Sequence, residues 1–200
     1  MSERVFDGGL FKYPHDCYLG IDPSLTGFAV TALSVAGDEY VSWVYKSPYR
    51  GVERLLDIDN WLEQRIWHIL RNRAVLDVAV EGGVVQSQSA FVLGELAGVV
   101  KTRLNRMPIN SGRYPLLVPP MSLKKFVAGK GNGVKKNEML LHTYKRWGAE
   151  FTDDNASDSY GLAQVVKAYK ENPALDRPKY QEQVLAKLTD LRDTPRDQSA

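Results

Sequence analysis

Tyr18-Leu19-Gly20-Ile21-Asp22-Pro23-Ser24-Leu25-Thr26-Gly27-Phe28-Ala29-Val30 is the stretch on which the fold turns. Its apolar run is too short for a helix and is bounded by Pro, Ser and Gly, so it reads as a buried strand, a tight turn and a second strand. A carboxylate at the end of a core strand is costly unless it is paired or bound to a metal. Asp22 therefore requires partners. Two later segments offer acids: Val78-Ala79-Val80-Glu81 and Asp153-Asp154-Asn155-Ala156-Ser157-Asp158.

Working outward, residues 17–22, 28–35 and 40–46 read as three strands of an antiparallel meander, with Gly37-Asp38 as a turn signal. Residues 1–16 carry Gly, Pro and mixed polarity without periodicity and are expected to form a loosely held arm. Beyond the Ser47-Pro48 break, Leu55, Ile58, Leu62, Ile66 and Ile69 recur at helical spacing over 52–73. Residues 76–81 form a short apolar run ending in an acid, hence a fourth strand, and Gly82-Gly83 lets backbone pass close to a ligand or strand. A helix over 89–104 turns Val92, Leu96, Val99 and Val100 inward. Gly94 and Gly98 lie one turn apart on it, a spacing that lets the sheet or a partner helix approach closely.

Leu116-Leu117-Val118 is a fifth strand, stopped by Pro119-Pro120. Short and longer helices are expected over 122–127 and 135–147, the latter with Leu140, Tyr144 and Trp147 on one face. A last core helix runs over 155–170, and Asn172-Pro173 ends it. Residues 173–200 form a polar tail with one short helix near 180–191, so the core domain is placed at 17–172. This order predicts a three-layer α/β domain built on a five-stranded mixed sheet, antiparallel at first and then parallel, with helices on both faces. Ligands of open α/β sheets gather outside the strand ends, where Asp22 and Glu81 both fall.

The chain's 200 residues suit one domain with appendages, and 44% hydrophobic residues suffice for a core. A net charge of +2 is mild, so a nucleic-acid partner would require basic groups gathered on one face. The single cysteine, Cys17, excludes an intramolecular disulfide and a multi-cysteine zinc site. No secretory pattern opens the chain and no apolar run would span a bilayer, so a cytoplasmic setting is expected.

Several carboxylates sharing one site repel, and a divalent cation is the natural remedy. Hard oxygen ligands select Mg2+ or Mn2+ over zinc. Two such ions about 4 Å apart hold a phosphodiester, activate water and stabilise the leaving oxygen. Taken singly, Asp22 could cap a turn, Glu81 could be an exposed strand-end acid, and Asp158 could answer a helix dipole. All three, at element ends along one edge, point to a metal-dependent nuclease.

Leu-Gly-Ile-Asp-Pro-Ser-Leu-Thr-Gly at 19–27 resembles the first motif of RuvC-type Holliday junction resolvases, of the ribonuclease-H-like superfamily. Val80-Glu81 followed by Gly94-Glu95-Leu96-Ala97-Gly98 resembles that family's second acid and glycine-bearing helix. Residues 119–136 resemble its basic helix-loop segment, and Asn155-Ala156-Ser157-Asp158-Ser159 its terminal acid motif. The resemblance spans about 17–170 in order, and the divergence elsewhere marks a phage-type or remote member. It implies Asp22, Glu81 and Asp158 as metal ligands, with Asp22 bridging two ions. It also implies a fourth position three residues before the last acid, where many relatives carry a carboxylate and this chain has Asn155. Residues three apart share a helix face, which turns Asn155 toward Asp158. Asp154 either completes the shell or caps the helix.

The resemblance implies hydrolysis of branched DNA by in-line attack of water, leaving a 5′-phosphate and 3′-hydroxyl, with Mg2+ and Mn2+ able to serve. Lys124, Lys125, Lys130, Lys135 and Lys136, interrupted by glycines, suit a phosphate-contacting surface without sequence readout. Arg103, Arg106 and Arg113 are placed as its extension. Gln86, Ser87 and Gln88 are placed near the scissile phosphate, and Phe91 in the core rather than as a wedge at the junction. Two symmetrical nicks call for a two-fold homodimer, with the helix at 89–104 in its interface. Two other readings stay open. One is a ribonuclease-H-like nuclease acting on an RNA–DNA hybrid or flap. The other is a junction-binding protein without catalysis, for which Asn155 is the supporting feature.

Overall fold

The computed structural model describes residues 2–9, 15–82, 90–109, 114–171 and 177–188. Its sheet has strands β1 (Ser2–Asp7), β2 (Cys17–Asp22), β3 (Phe28–Ser34), β4 (Tyr40–Lys46), β5 (Val75–Glu81) and β6 (Leu116–Val118). They lie in the order β1-β4-β3-β2-β5-β6. The meander is antiparallel, and β2–β5 and β5–β6 are parallel, as expected. The helices are α1 (Gly51–Leu70), α2 (Ala90–Arg106), α3 (Pro120–Ala128), α4 (Lys136–Trp147), α5 (Asp154–Lys170) and α6 (Lys179–Leu185).

The sheet has six strands, not the expected five, because Ser2–Asp7 is an edge strand rather than a loose arm. Its side chains are mostly exposed, so no hydrophobic alternation marks it. Backbone pairing to β4 holds it. The Trp61 indole donates to Glu3 at 2.7 Å, and Phe6 packs edge-on to Phe151 at 5.6 Å.

Alternation along β2 and β5 divides the core. Leu19, Ile21, Val78 and Val80 face α1 and α2, packing with Ile58, Leu62, Ile66, Leu96 and Val100. The opposite face carries Tyr18 and Ala79 against Leu123, Phe126, Leu162 and Val166. Helix α5 is buried almost all round, as the central helix of that layer. On α4 the buried positions are Met139 and Thr143; of the face formed by Leu140, Tyr144 and Trp147, Leu140 and Trp147 are half-buried and Tyr144 is exposed. Among the described residues no helix is long and apolar enough to cross a membrane.

Helix α2 departs from expectation on its outer side. Phe91, expected in the core, is 79% exposed, and Val92 is exposed too. A side chain at Gly94 or Gly98 would meet open space, so neither glycine serves close packing on the sheet.

Candidate active site

Parallel pairing sets Ile21 opposite Val80, which makes Asp22 and Glu81 the next residues along two adjacent strands. They share the α5 face of the sheet, because side chains two apart in a strand point the same way. Gly20 then decides where α5 sits. A Cβ at Gly20 would lie 2.0 Å from the Ser159 carbonyl oxygen and 2.4 Å from the Ala163 amide nitrogen. Helix α5 thus crosses β2 at backbone contact, which brings Asp158 over the strand end. Buried hydroxyls fix the crossing: Thr31 Oγ1 lies 2.7 Å from Ser159 Oγ and 2.6 Å from Ser42 Oγ. Ser157 Oγ lies 2.9 Å from Thr143 Oγ1 on α4.

Asp153, not Asp154, caps α5. Its Oδ1 accepts the Asn155 and Ala156 amides at 3.0 and 3.2 Å, and its other oxygen pairs with Arg4 of β1. This frees Asp154, the first helical residue, to pair with Lys136. Asn155 stands beside the turn after β2: a Cβ at Gly27 would lie 2.5 Å from its Nδ2. Its amide hydrogen bond goes to Asp153.

The carboxylates feel one another. Burial, followed by the charges of Glu81, Asp158 and Asp154, raises the Asp22 carboxyl well above the usual range, against the pull of Lys136. Burial pushes Glu81 up to about 7, with Lys124 opposing. Asp158 is pushed up to about 7 by burial and by Glu81 and Asp154, with Lys124 and Lys136 opposing. Among the described residues no trio of His, Cys, Asp or Glu stands as a ready metal cage. The acids act on one another through space. Their chemistry suits a hard divalent cation: every donor is an oxygen. Asp158 Oδ1 is buried without a hydrogen-bond partner, although buried polar atoms are normally satisfied.

A pH signature follows. The folded chain keeps protons on Glu81 and Asp158 up to about pH 7, whereas their ordinary values are 4.5 and 3.8. Folding therefore takes up protons between about pH 4 and 7, and stability falls as pH rises through that window. One such group is worth on the order of 3 kcal/mol, or roughly 6–12 °C in Tm for a chain of this size. Thermal unfolding in a chelator should show Tm higher near pH 5 than near pH 8. A flat or rising profile would contradict the burial of these two acids.

The lysines divide into groups. Lys124 and Lys136 act on the acids. Lys125 donates to Gln183 at 2.9 Å, Lys130 pairs with Glu138 at 3.4 Å, and Lys135 is exposed at the start of α4. They do not form one uniform patch. Arg103 is not its extension, because it is fork-bonded to Asp59 and also paired with Glu63, tying α2 to α1. Gln86, Ser87, Gln88 and Arg113 lie outside the described residues. At Gly82 the amide donates to the Val118 carbonyl at 2.8 Å, and a Cβ would meet only ordinary contact, so close approach is not required there. Cys17 is buried and its thiol is pushed up to about 12, which leaves it unreactive. The roles of Gly20, Gly27 and Asp153 were not read from sequence. The only signal was glycine within and just after the Asp22 strand, and an acid directly before the helix.

A six-stranded mixed sheet flanked by helices, with Asp22 and Glu81 at the ends of adjacent parallel strands, is an α/β fold that solved RuvC structures share. The Thermus thermophilus RuvC structure matches with TM-score 0.55 and 23% identity, covering 74% of this chain and 90% of that one. T. thermophilus RuvC in complex with Holliday junction substrate matches with TM-score 0.57 and 20% identity over the same shares. At this identity the likeness establishes the fold. No family model matches the sequence, and comparison with curated proteins finds no match.

Proposed function

We propose that the chain is a metal-dependent, structure-selective DNA endonuclease that resolves Holliday junctions or related branched DNA. One observation supports the reading: the charges of Glu81 and Asp158 both raise the proton affinity of Asp22, and that of Glu81 raises the proton affinity of Asp158, although the three come from distant segments. The fold is shared with T. thermophilus RuvC, which is solved in complex with Holliday junction substrate.

In this reading Asp22, Glu81 and Asp158 hold Mg2+, with Mn2+ able to substitute. Asp154 joins Asn155 as a candidate for the fourth position, because its charge reaches both Asp22 and Asp158. A divalent cation there supplies Lewis-acid activation of water and neutralises charge on the scissile phosphate. Lys124 and Lys136 border the acids and attract the phosphate backbone, and Lys135 adds an exposed contact. Two-fold pairing through the exposed side of α2, around Phe91, Val92, Gly94 and Gly98, would supply the second active site that symmetrical nicking needs.

The test is a panel of labelled four-way junctions, flaps, RNA–DNA hybrids and linear duplexes with Mg2+ or Mn2+. Paired nicks across the junction are expected, with duplex left intact. Cutting confined to hybrids or flaps would assign the fold to another substrate. Tight junction binding with no cleavage under either metal would leave a binding protein.

A further inference from the structure

Helix α6, from the segment expected to be a polar tail, is docked firmly. Val184 is buried among Phe126, Val127 and Val166. Gln181 Nε2 donates to the Phe126 carbonyl at 3.0 Å. The Arg146 guanidinium lies over the Trp147 and Tyr180 rings, at 5.6 and 5.3 Å from their centroids, and also donates to the Val127 carbonyl at 3.2 Å. The helix therefore holds a fixed place against α3.

Between α3, the glycine loop after it and α6 runs a groove of about 220 Å³. Its walls carry two cations, Lys125 from α3 and Lys187 just after α6, with Ser122, Asn132 and Gln183 as neutral hydrogen-bonding groups. No carboxylate is among its described lining residues. The Gln183 carbonyl accepts from Lys125 at 2.9 Å and so fixes the position of that ammonium, whose other donors remain for an anion. A Cβ at Gly131 would lie 3.0 Å from the Met121 carbonyl, so glycine is what lets the loop lie against α3 and close the groove. The space is below the roughly 300–1,000 Å³ usual for small-molecule pockets. Open and cationic, with Ser122, Asn132 and Gln183 for hydrogen bonds and Met121 and Val184 as its apolar part, it suits a run of phosphodiester with its sugars.

Adjacent residues on a helix point about 100° apart. Lys124 accordingly acts on Glu81 and Asp158, while Lys125 reaches α6. We infer that the α3–α6 groove is a second phosphate-backbone site, holding a duplex arm of the DNA away from the acidic centre, with Lys187 and Gln183 as its contacts on the C-terminal segment. The choice of DNA as ligand rests on the nuclease reading, and the experiment separates the two.

The probes are a short linear duplex and a four-way junction, titrated against the full chain in chelator at several salt concentrations. Lys187→Gln is expected to weaken duplex binding about three- to tenfold and to lower the slope of log affinity against log salt by about 1. Lys187→Arg should bind as the unmodified chain does. Arg71→Gln, the same charge loss at the exposed end of α1 on the opposite face of the sheet, should change binding little. Undiminished binding by Lys187→Gln, an equal loss in Arg71→Gln, failure of Lys187→Arg to retain affinity, or no duplex binding by the unmodified chain would each overturn the groove. Duplex binding that depends on Lys187, without junction cleavage under Mg2+ or Mn2+, would keep the groove and reject the nuclease.

Discussion

Asp22→Asn is expected to lower junction cleavage by at least about 10³-fold, equivalent to about 4 kcal/mol of transition-state stabilisation, while making the metal-free protein more stable. The two effects share one cause. Asp22 is buried among Glu81, Asp158 and Asp154, and its charged form is disfavoured by lost hydration and by all three neighbours. Asn keeps the shape and removes the charge, so the folded chain loses a repulsion that the unfolded chain never had. Tm in chelator near pH 8 should rise by several degrees, and the fall of Tm with pH should flatten. Junction affinity without metal should hold or improve, because one negative charge near the phosphate is gone. Added Mg2+ should raise Tm in the unmodified chain and do so much less in the variant, by ordinary linkage. Single-turnover cleavage, thermal unfolding and binding check the three parts. Retained cleavage, or a fall in metal-free Tm, would remove Asp22 from the centre of the site. A stability gain coupled to loss of function is the pattern expected where a site holds destabilising charge for its chemistry.

Gly20→Val should have the largest effect of any substitution that leaves the acids in place. The new Cβ would meet backbone of α5 at 2.0 and 2.4 Å, and backbone cannot swing aside as a side-chain tip can. Helix α5 would have to lift from β2. Overpacking of this kind costs about 1–3 kcal/mol in general. Here the lift also strains the Thr31–Ser159 hydrogen bond, at 2.7 Å between two fully buried residues, adding about 1–3 kcal/mol if it is lost. Together these would lower Tm by roughly 4–24 °C. Asp158 moves with the helix, and a displacement of about 1 Å at a reacting centre can cost about 10²-fold in rate. Gly20→Ala should show the same direction with a smaller loss. Thermal unfolding and single-turnover cleavage measure both. Wild-type stability in Gly20→Val would mean that α5 does not sit against β2 at Gly20.

The acids were legible because their positions follow from local rules. A short apolar run that stops on Asp22 or Glu81 marks a strand end, and parallel neighbours place strand ends together. Other features left no comparable mark. Ser2–Asp7 is held to β4 by backbone bonds with its side chains in solvent, so nothing in its residue types announces a strand. Asp153 and Asp154 are adjacent acids, and only the helix start shows which one caps it. Phe91 carries the composition of a core residue and stands 79% exposed. The lysine cluster looked uniform, yet its members have different partners, from Asp154 beside the acids to Gln183 on α6.

By itself the sequence determined the succession of elements from β2 onward and a mixed sheet with Asp22 and Glu81 at the ends of adjacent strands, because apolar period, turn residues and chain breakers act over a few neighbours. Only the tertiary structure decided how closely α5 approaches β2, which acid caps that helix, where each lysine points and that residues 177–188 wall a groove. Those outcomes depend on contacts between residues far apart in the chain, such as Thr31 with Ser159 and Phe126 with Gln181. Steric fit between backbones and the sharing of buried hydrogen bonds settle them, and neither is written in any single segment.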